Sequence, residues 1–144
     1  MQVDFYQLSQ SPVEVALPLL ARATLSAGQQ LLVVAEQAEL RARIGKGLWE
    51  LKDSFLAHGH AGGADDARQP ILLSDKAEAA NGARFVALAD GQWREEALGF
   101  DRAMLVFDEA TVEAARVVWR KLDGDETLTR RYFKQEAGKW VQAA

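Results

Sequence analysis

The sequence predicts an α/β protein, a three-layer α/β/α fold on a mainly parallel sheet, in a single domain over residues 1–144. Three observations carry that expectation. Leu31-Leu-Val-Val-Ala35, Pro70-Ile-Leu-Leu73 and Met104-Leu-Val-Phe107 are short apolar runs, the pattern of strands buried on both faces. Amphipathic stretches of helical period alternate with them, which favours a parallel sheet with helices on its faces. The length of 144 residues, with 49% apolar and 26% charged, suits one core of an ordinary globular domain.

In chain order, Gln2 to Leu8 reads as a first strand around Val3, Phe5 and Tyr6. Ser9-Gln-Ser-Pro12 is a turn in which Ser11 can cap a helix and Pro12 can open it. That helix carries Val13, Leu17, Leu20 and Ala21 as its stripe and stops at Ala27-Gly28, with a kink or early break expected at Pro18. Leu31–Ala35 is the second strand, and a helix joining it to the first implies a right-handed crossover and parallel pairing. Glu36 to Trp49 is a second helix with Ala38, Leu40, Ile44 and Leu48 turned inward, its end weakened by Gly45 and Gly47. Lys52 to Asp66 leaves regular structure and reads as a mobile loop.

Pro70–Leu73 and Arg84–Ala89 are the next strands, with a turn ending at Asn81-Gly82 between them and a loop or short helix from Trp93 to Phe100 after them. Asp108 can cap the helix that follows the Met104–Phe107 strand, and Asp123-Gly-Asp125 stops it. At about 100° per residue, Thr111, Ala115, Val118 and Leu122 face the sheet, Glu113, Arg116 and Arg120 face away, and Trp119 lies between, next to Arg116. The remainder, with Arg131-Tyr-Phe-Lys134 and Gly138-Lys-Trp140-Val, reads as a helix or an edge strand, the strand favoured near the end.

Composition excludes several chemistries. Without cysteine there is no disulfide, thiol nucleophile or Cys-based metal site. No run approaches the roughly 18 apolar residues of a membrane span, and the N-terminus has neither a basic start nor an apolar signal core. A cytoplasmic protein that does not engage membranes is expected. The net charge of −4 argues against nucleic-acid binding through the whole surface. From Leu128 onward, however, Arg130, Arg131, Lys134 and Lys139 stand against Glu136 alone, a local balance of +3. With Arg116, Arg120 and Lys121 this makes the C-terminal third the place for an anionic partner.

A sheet of this Rossmann-like kind often binds nucleotides, but the first strand-to-helix turn lacks the glycines of a phosphate cradle, and Pro12 removes an amide donor. Gly45-Lys46-Gly47 lies late in a helix, with no Ser or Thr after Lys46. No nucleotide-binding loop and no cofactor are expected. His58 and His60, near Asp65 and Asp66, could hold a metal but sit in a glycine-rich stretch and read as solvated loop histidines. No serine lies in a nucleophile elbow, and Asp65-Asp66 and Glu95-Glu96 read as solvated carboxylates. No catalytic residue and no metal site are assigned.

Two places remain. Arg116 and Arg120, four apart, repel across one helix face by roughly 0.2–0.5 kcal/mol. An acidic peptide with an aromatic or carboxylate end would offset this beside the ring of Trp119. The residues alone favour a solvated face neutralised by Glu113, with Trp119 as a boundary residue of the core. Trp49 at a helix end and Phe55 in the following loop either close the edge of the core or anchor a partner protein.

Over nearly its whole length the chain resembles the chi subunit family of the bacterial DNA polymerase III holoenzyme. The resemblance rests on Phe5-Tyr6-Gln-Leu8, Leu31–Ala35 with its acidic helix, Leu48-Trp49 through Ser54-Phe55-Leu56-Ala-His58, the strand ending at Phe107, the helix bearing Arg116, Trp119, Arg120 and Lys121, and Lys139-Trp140. The family carries tyrosine where this chain has Trp119. Both its spacing from Phe107 to the helix and its loop after Trp49 are longer. The resemblance implies a non-catalytic accessory protein at the clamp-loader end of the replicase that binds the acidic, phenylalanine-ended C-terminal tail of single-stranded DNA-binding protein. Phe107, Arg116, Trp119 and Arg120 would take that tail. Trp49 and Phe55 would meet the psi subunit or a helicase-like partner, and contact with DNA would be mostly indirect. The other expectations from the fold are a small α/β enzyme or nucleotide-binding protein, or a direct binder of single-stranded DNA.

Overall fold

The computed structural model describes residues 1–144. Eight strands form one sheet: β1 (Gln2–Gln7), β2 (Leu31–Val34), β3 (His58–His60), β4 (Ile71–Ser74), β5 (Phe85–Leu88), β6 (Arg102–Phe107), β7 (Thr129–Glu136) and β8 (Lys139–Gln142). Their order across the sheet is β3-β4-β2-β5-β6-β1-β7-β8. Every neighbouring pair is parallel except β7 and β8. The helices are α1 (Val13–Ser26), α2 (Ala38–Glu50) and α3 (Val112–Lys121). On one face Leu17 and Leu20 of α1 and Ile44 and Leu48 of α2 pack with Tyr6, Leu31, Val33 and Met104. On the other, Ala115 and Val118 of α3, with Leu122, pack with Val3, Phe5, Leu105 and Phe107. The layers are those the sequence predicts.

The two strands flanking α1 do not pair with each other. β1 and β2 run the same way but are separated by β5 and β6, so later segments of the chain fill the sheet between them. Nor does Pro18 break α1, which continues to Ser26. Proline at that position leaves the carbonyl of Glu14 without its helical donor, and this carbonyl is where α2 crosses. A Cβ on Gly47 would lie 2.1 Å from the Glu14 oxygen, so only glycine lets the helices approach this closely. Gly47 therefore belongs to the crossing, and α2 runs through it to Glu50.

Two other segments differ from expectation. The stretch taken as a mobile loop contains β3, an edge strand whose His58, Gly59 and His60 pair with Ile71, Leu72 and Leu73. Backbone pairing with an apolar neighbour supplies the order that the polar His-Gly-His sequence hides. The C-terminal segment is a hairpin from Thr129 onward, turning through Ala137 and Gly138, both at positive φ. Its first strand extends the parallel sheet beside β1, longer and more central than an edge strand near the end.

A buried carboxylate fastens this hairpin. Asp4 is 0% exposed. It accepts hydrogen bonds from Gln2 Nε2 (2.9 Å), Arg102 Nε (2.8 Å) and Arg131 Nε (2.9 Å). Arg102 also donates to the Tyr6 hydroxyl at 3.1 Å, and the Arg131 guanidinium lies 5.1 Å over the Phe133 ring. One carboxylate thus joins β6, β1 and β7. Ser11 does not cap α1, whose N-cap is Pro12. Instead the amides of Ser9, Gln10 and Ser11 converge on Gln135 Oε1 of β7 at 2.9–3.4 Å. The donors that could cradle a phosphate are occupied by the protein's own side chain.

Candidate functional site

The α3 side is built on aromatic packing over the middle of the sheet, reaching its carboxyl end at Phe107. Phe107, the last residue of β6, is buried, and the Tyr132 ring of β7 meets it edge-on at 5.8 Å. Trp119 is half-buried. Its indole lies edge-to-face with Phe5 at 5.1 Å and with Tyr132 at 5.6 Å. Such edge-to-face arrangements match the ring quadrupoles and hold the rings in place. The Tyr132 hydroxyl donates to Gln7 Oε1 at 2.5 Å. Burial holds the pKa of that hydroxyl above the usual tyrosine value, outweighing the charge of Arg116, which acts the other way.

The cation seated on Trp119 is not the one that helical spacing indicates. It is Arg130, whose guanidinium lies 4.1 Å over the indole. Arg130 also donates to the Trp119 carbonyl and to Asp123 Oδ1 at 2.8 Å. Arg116 pairs instead with Glu113 at 2.6 Å, both groups being largely exposed. Arg120 is exposed and has no ion pair. Lys121 bonds Glu95, which holds that carboxyl below the usual range. Glu95 is exposed, as expected of a solvated carboxylate, and also bonds Lys121 and the Trp93 indole N–H. Val117, 55% exposed, shares the outer face of α3 with Arg116 and Arg120.

The sequence-derived set therefore divides. Arg116, Arg120 and part of Trp119 reach the surface together, while Phe107 forms the floor beneath Tyr132. Val117, Arg130 and Tyr132 were missed. Val117 could have been found as the apolar position between two arginines on an otherwise polar helix face. Arg130 and Tyr132 required knowledge that β7 pairs with β1. No deep hollow marks the spot, for the larger cavities lie elsewhere. One of about 320 Å³ opens at the carboxyl ends of β1, β5 and β6, lined by Leu8, Val13, Asp90 and Asp108 among others.

The second surface is of another kind. Trp49 at the end of α2 is 59% exposed and Phe55 is 78% exposed, their centroids 5.9 Å apart. Leu56 is buried beside Phe55 and anchors the loop, and Arg22 of α1 reaches Ser54 Oγ at 3.1 Å. Val15 and Leu19 of α1 are also exposed. A groove of about 450 Å³ between α1 and α2 runs from Val15 and Pro18 to Leu51 and Lys52. Two large rings held in water do not close the edge of the core.

The chain matches the family described as "DNA polymerase III chi subunit, HolC" over residues 1–128. No curated protein matches it. The β7–β8 hairpin begins immediately after the matched region.

Proposed function

The chain belongs to the DNA polymerase III chi subunit family, and from that premise we propose that it is a non-catalytic connector between the replicase and single-stranded DNA-binding protein. Its family makes it an accessory subunit of the DNA polymerase III assembly. The finer reading is that the outer face of α3 captures the acidic, phenylalanine-ended tail of single-stranded DNA-binding protein. The Trp49–Phe55 surface docks the psi subunit of the clamp loader or a helicase-like protein. No helix is long and apolar enough to cross a membrane, and the proposed place of work is the cytoplasm, at the replication fork.

The observation that carries the reading is Arg120, a guanidinium without a partner, beside the exposed Val117 and the weakly paired Arg116. An exposed pair such as Glu113–Arg116 contributes little, roughly 0–1 kcal/mol, so an incoming carboxylate can replace Glu113. Guanidinium groups bind carboxylates in bidentate fashion, and the half-buried edge of Trp119, next to Arg116, offers an apolar seat for a terminal ring, with Val117 a separate apolar contact on the other side of the arginines. Most other C-terminal cations are already paired within the protein, Arg130 with Asp123 and Arg131 with Asp4. This favours a short acidic peptide over a long nucleic-acid track.

Fluorescence anisotropy with a labelled acidic peptide ending in phenylalanine tests it. Micromolar affinity, about −8 kcal/mol, is enough for a contact repeated along coated DNA. The Arg116→Ala/Arg120→Ala variant should keep its circular dichroism spectrum and lose the peptide. Undiminished affinity in that variant, or a thermal shift with ATP or NAD and none with peptide, would overturn the assignment.

A further inference from the structure

We infer that His58 and His60 form a two-imidazole site for a divalent first-row transition metal, with water completing the coordination shell. The two residues sit on β3, where alternation puts both on the same face of the strand, toward α2. His58 Nδ1 lies 3.0 Å from the Leu56 carbonyl. That bond requires a proton on Nδ1 and leaves the Nε2 lone pair of the neutral ring free, the second-shell arrangement that orients a histidine ligand. Neither His58 Nε2 nor His60 has another hydrogen-bond partner.

Both Nε2 atoms border one place. A Cβ built on Gly45 would lie 3.4 Å from each of them and from Leu73 Cδ1, which walls the space on its third side. Gly45 is inside α2, where glycine is unfavourable, and its missing side chain leaves the space between the two nitrogens open. The ring centroids are 6.4 Å apart. Two imidazoles sharing one ion at metal–nitrogen distances of about 2.0–2.1 Å have centroids roughly 5–6.5 Å apart, so small side-chain rotations bring the pair together.

No third histidine or carboxylate is close enough to join them. Water has room in an adjoining cavity lined by His60, Ser74 and Asp75. The cation on that side, Arg41, is directed at the carbonyls of Ala35 and Glu36, 2.7 Å from each. Two neutral nitrogens with aqueous positions select Zn²⁺, Ni²⁺ or Cu²⁺ over Mg²⁺ or Ca²⁺, which require oxygen ligands.

The test uses the full chain without a polyhistidine tag, titrated calorimetrically with Zn²⁺ and with Cu²⁺. One ion per chain is expected. His60→Gln should weaken binding about tenfold or more, and Gly45→Ala, which places a methyl group between the ligands, should do the same with an unchanged circular dichroism spectrum. Trp49 lies 5.0 Å from His58, so Cu²⁺ should quench tryptophan fluorescence in the wild type and lose most of that effect in Trp49→Phe. Binding undiminished in both His60→Gln and Gly45→Ala, or no binding up to millimolar metal, would overturn the inference. Mg²⁺ competing equally would do so as well.

Discussion

The two surfaces proposed to face partners use their aromatic and charged residues in opposite ways. On the α3 side Phe5, Phe107, Trp119 and Tyr132 pack on one another, and what reaches solvent is Arg116, Val117 and Arg120. On the α2 side the rings of Trp49 and Phe55 are themselves in water, while the charges of α2 beside them are paired within the protein and the opposite charges of Lys52 and Asp53 offset each other. Arg43 pairs with Glu39 at 3.2 Å and Lys46 with Glu50 at 3.7 Å. The first surface therefore presents charge supported by rings, and the second presents rings among charges of both signs that balance. A partner of the first should be acidic and sensitive to salt, and a partner of the second apolar and largely insensitive to it.

The surfaces also stand on different supports, which gives the largest expected effect. Asp4 ties β7, and with it Arg130 and Tyr132, to the sheet. Asp4→Ala leaves Arg102 and Arg131 without their counter-charge; a fully buried pair would lose about 3–5 kcal/mol, and water reaching the two guanidinium groups, 28% and 34% exposed, lowers that loss. Chemical denaturation should register that loss, and any folded protein remaining should bind tail peptide poorly while its Trp49 surface still binds. Equal loss at both surfaces would show that the supports are not separate. Next in size is truncation of the exposed rings. Trp49→Ala or Phe55→Ala should each weaken the partner of that surface by about 2 kcal/mol, some 30-fold, at unchanged stability and with peptide affinity retained. Smaller again, Gly47→Ala forces a methyl group against the Glu14 carbonyl and should destabilise the protein by about 1–3 kcal/mol. Its melting temperature reports this, and the groove between α1 and α2 should change shape with no effect on α3.

How much of this can be read without coordinates depends on the distance along the chain. The apolar runs of β2, β4 and β6 announce buried strands because both faces are covered, and α3 shows its inward stripe within three turns. The polar strands do not announce themselves. His58-Gly-His60 has no apolar residue and is a strand only because Ile71–Leu73 offers its backbone groups. Thr129–Glu136 alternates arginines and aromatics on both faces, a pattern that fits a helix or a strand until β1 is placed beside it. For the same reason helical spacing puts Arg116 near Trp119 but cannot find Arg130, which reaches the indole from another element. Asp4 is the extreme case, since its partners Arg102 and Arg131 lie far along the chain and one aspartate in a first strand gives no sign of burial.

The smallest expected effect decides whether the hairpin belongs to the peptide surface or only adjoins it. Tyr132→Phe keeps the ring that packs on Phe107 and Trp119 and removes only the hydrogen bond to Gln7. Stability should fall by about 0.5–1.5 kcal/mol, because the Gln7 carbonyl loses its donor in a half-buried place. A purely structural tyrosine would leave peptide affinity and its salt dependence untouched. If the hydroxyl lies at the edge of the seat beside Arg116, the substitution should lower affinity a few-fold and leave the slope against salt unchanged, because no charge is removed. A changed slope would mean that Arg116 had moved. The hydroxyl would then be holding the guanidinium in place, with no direct part in meeting the peptide.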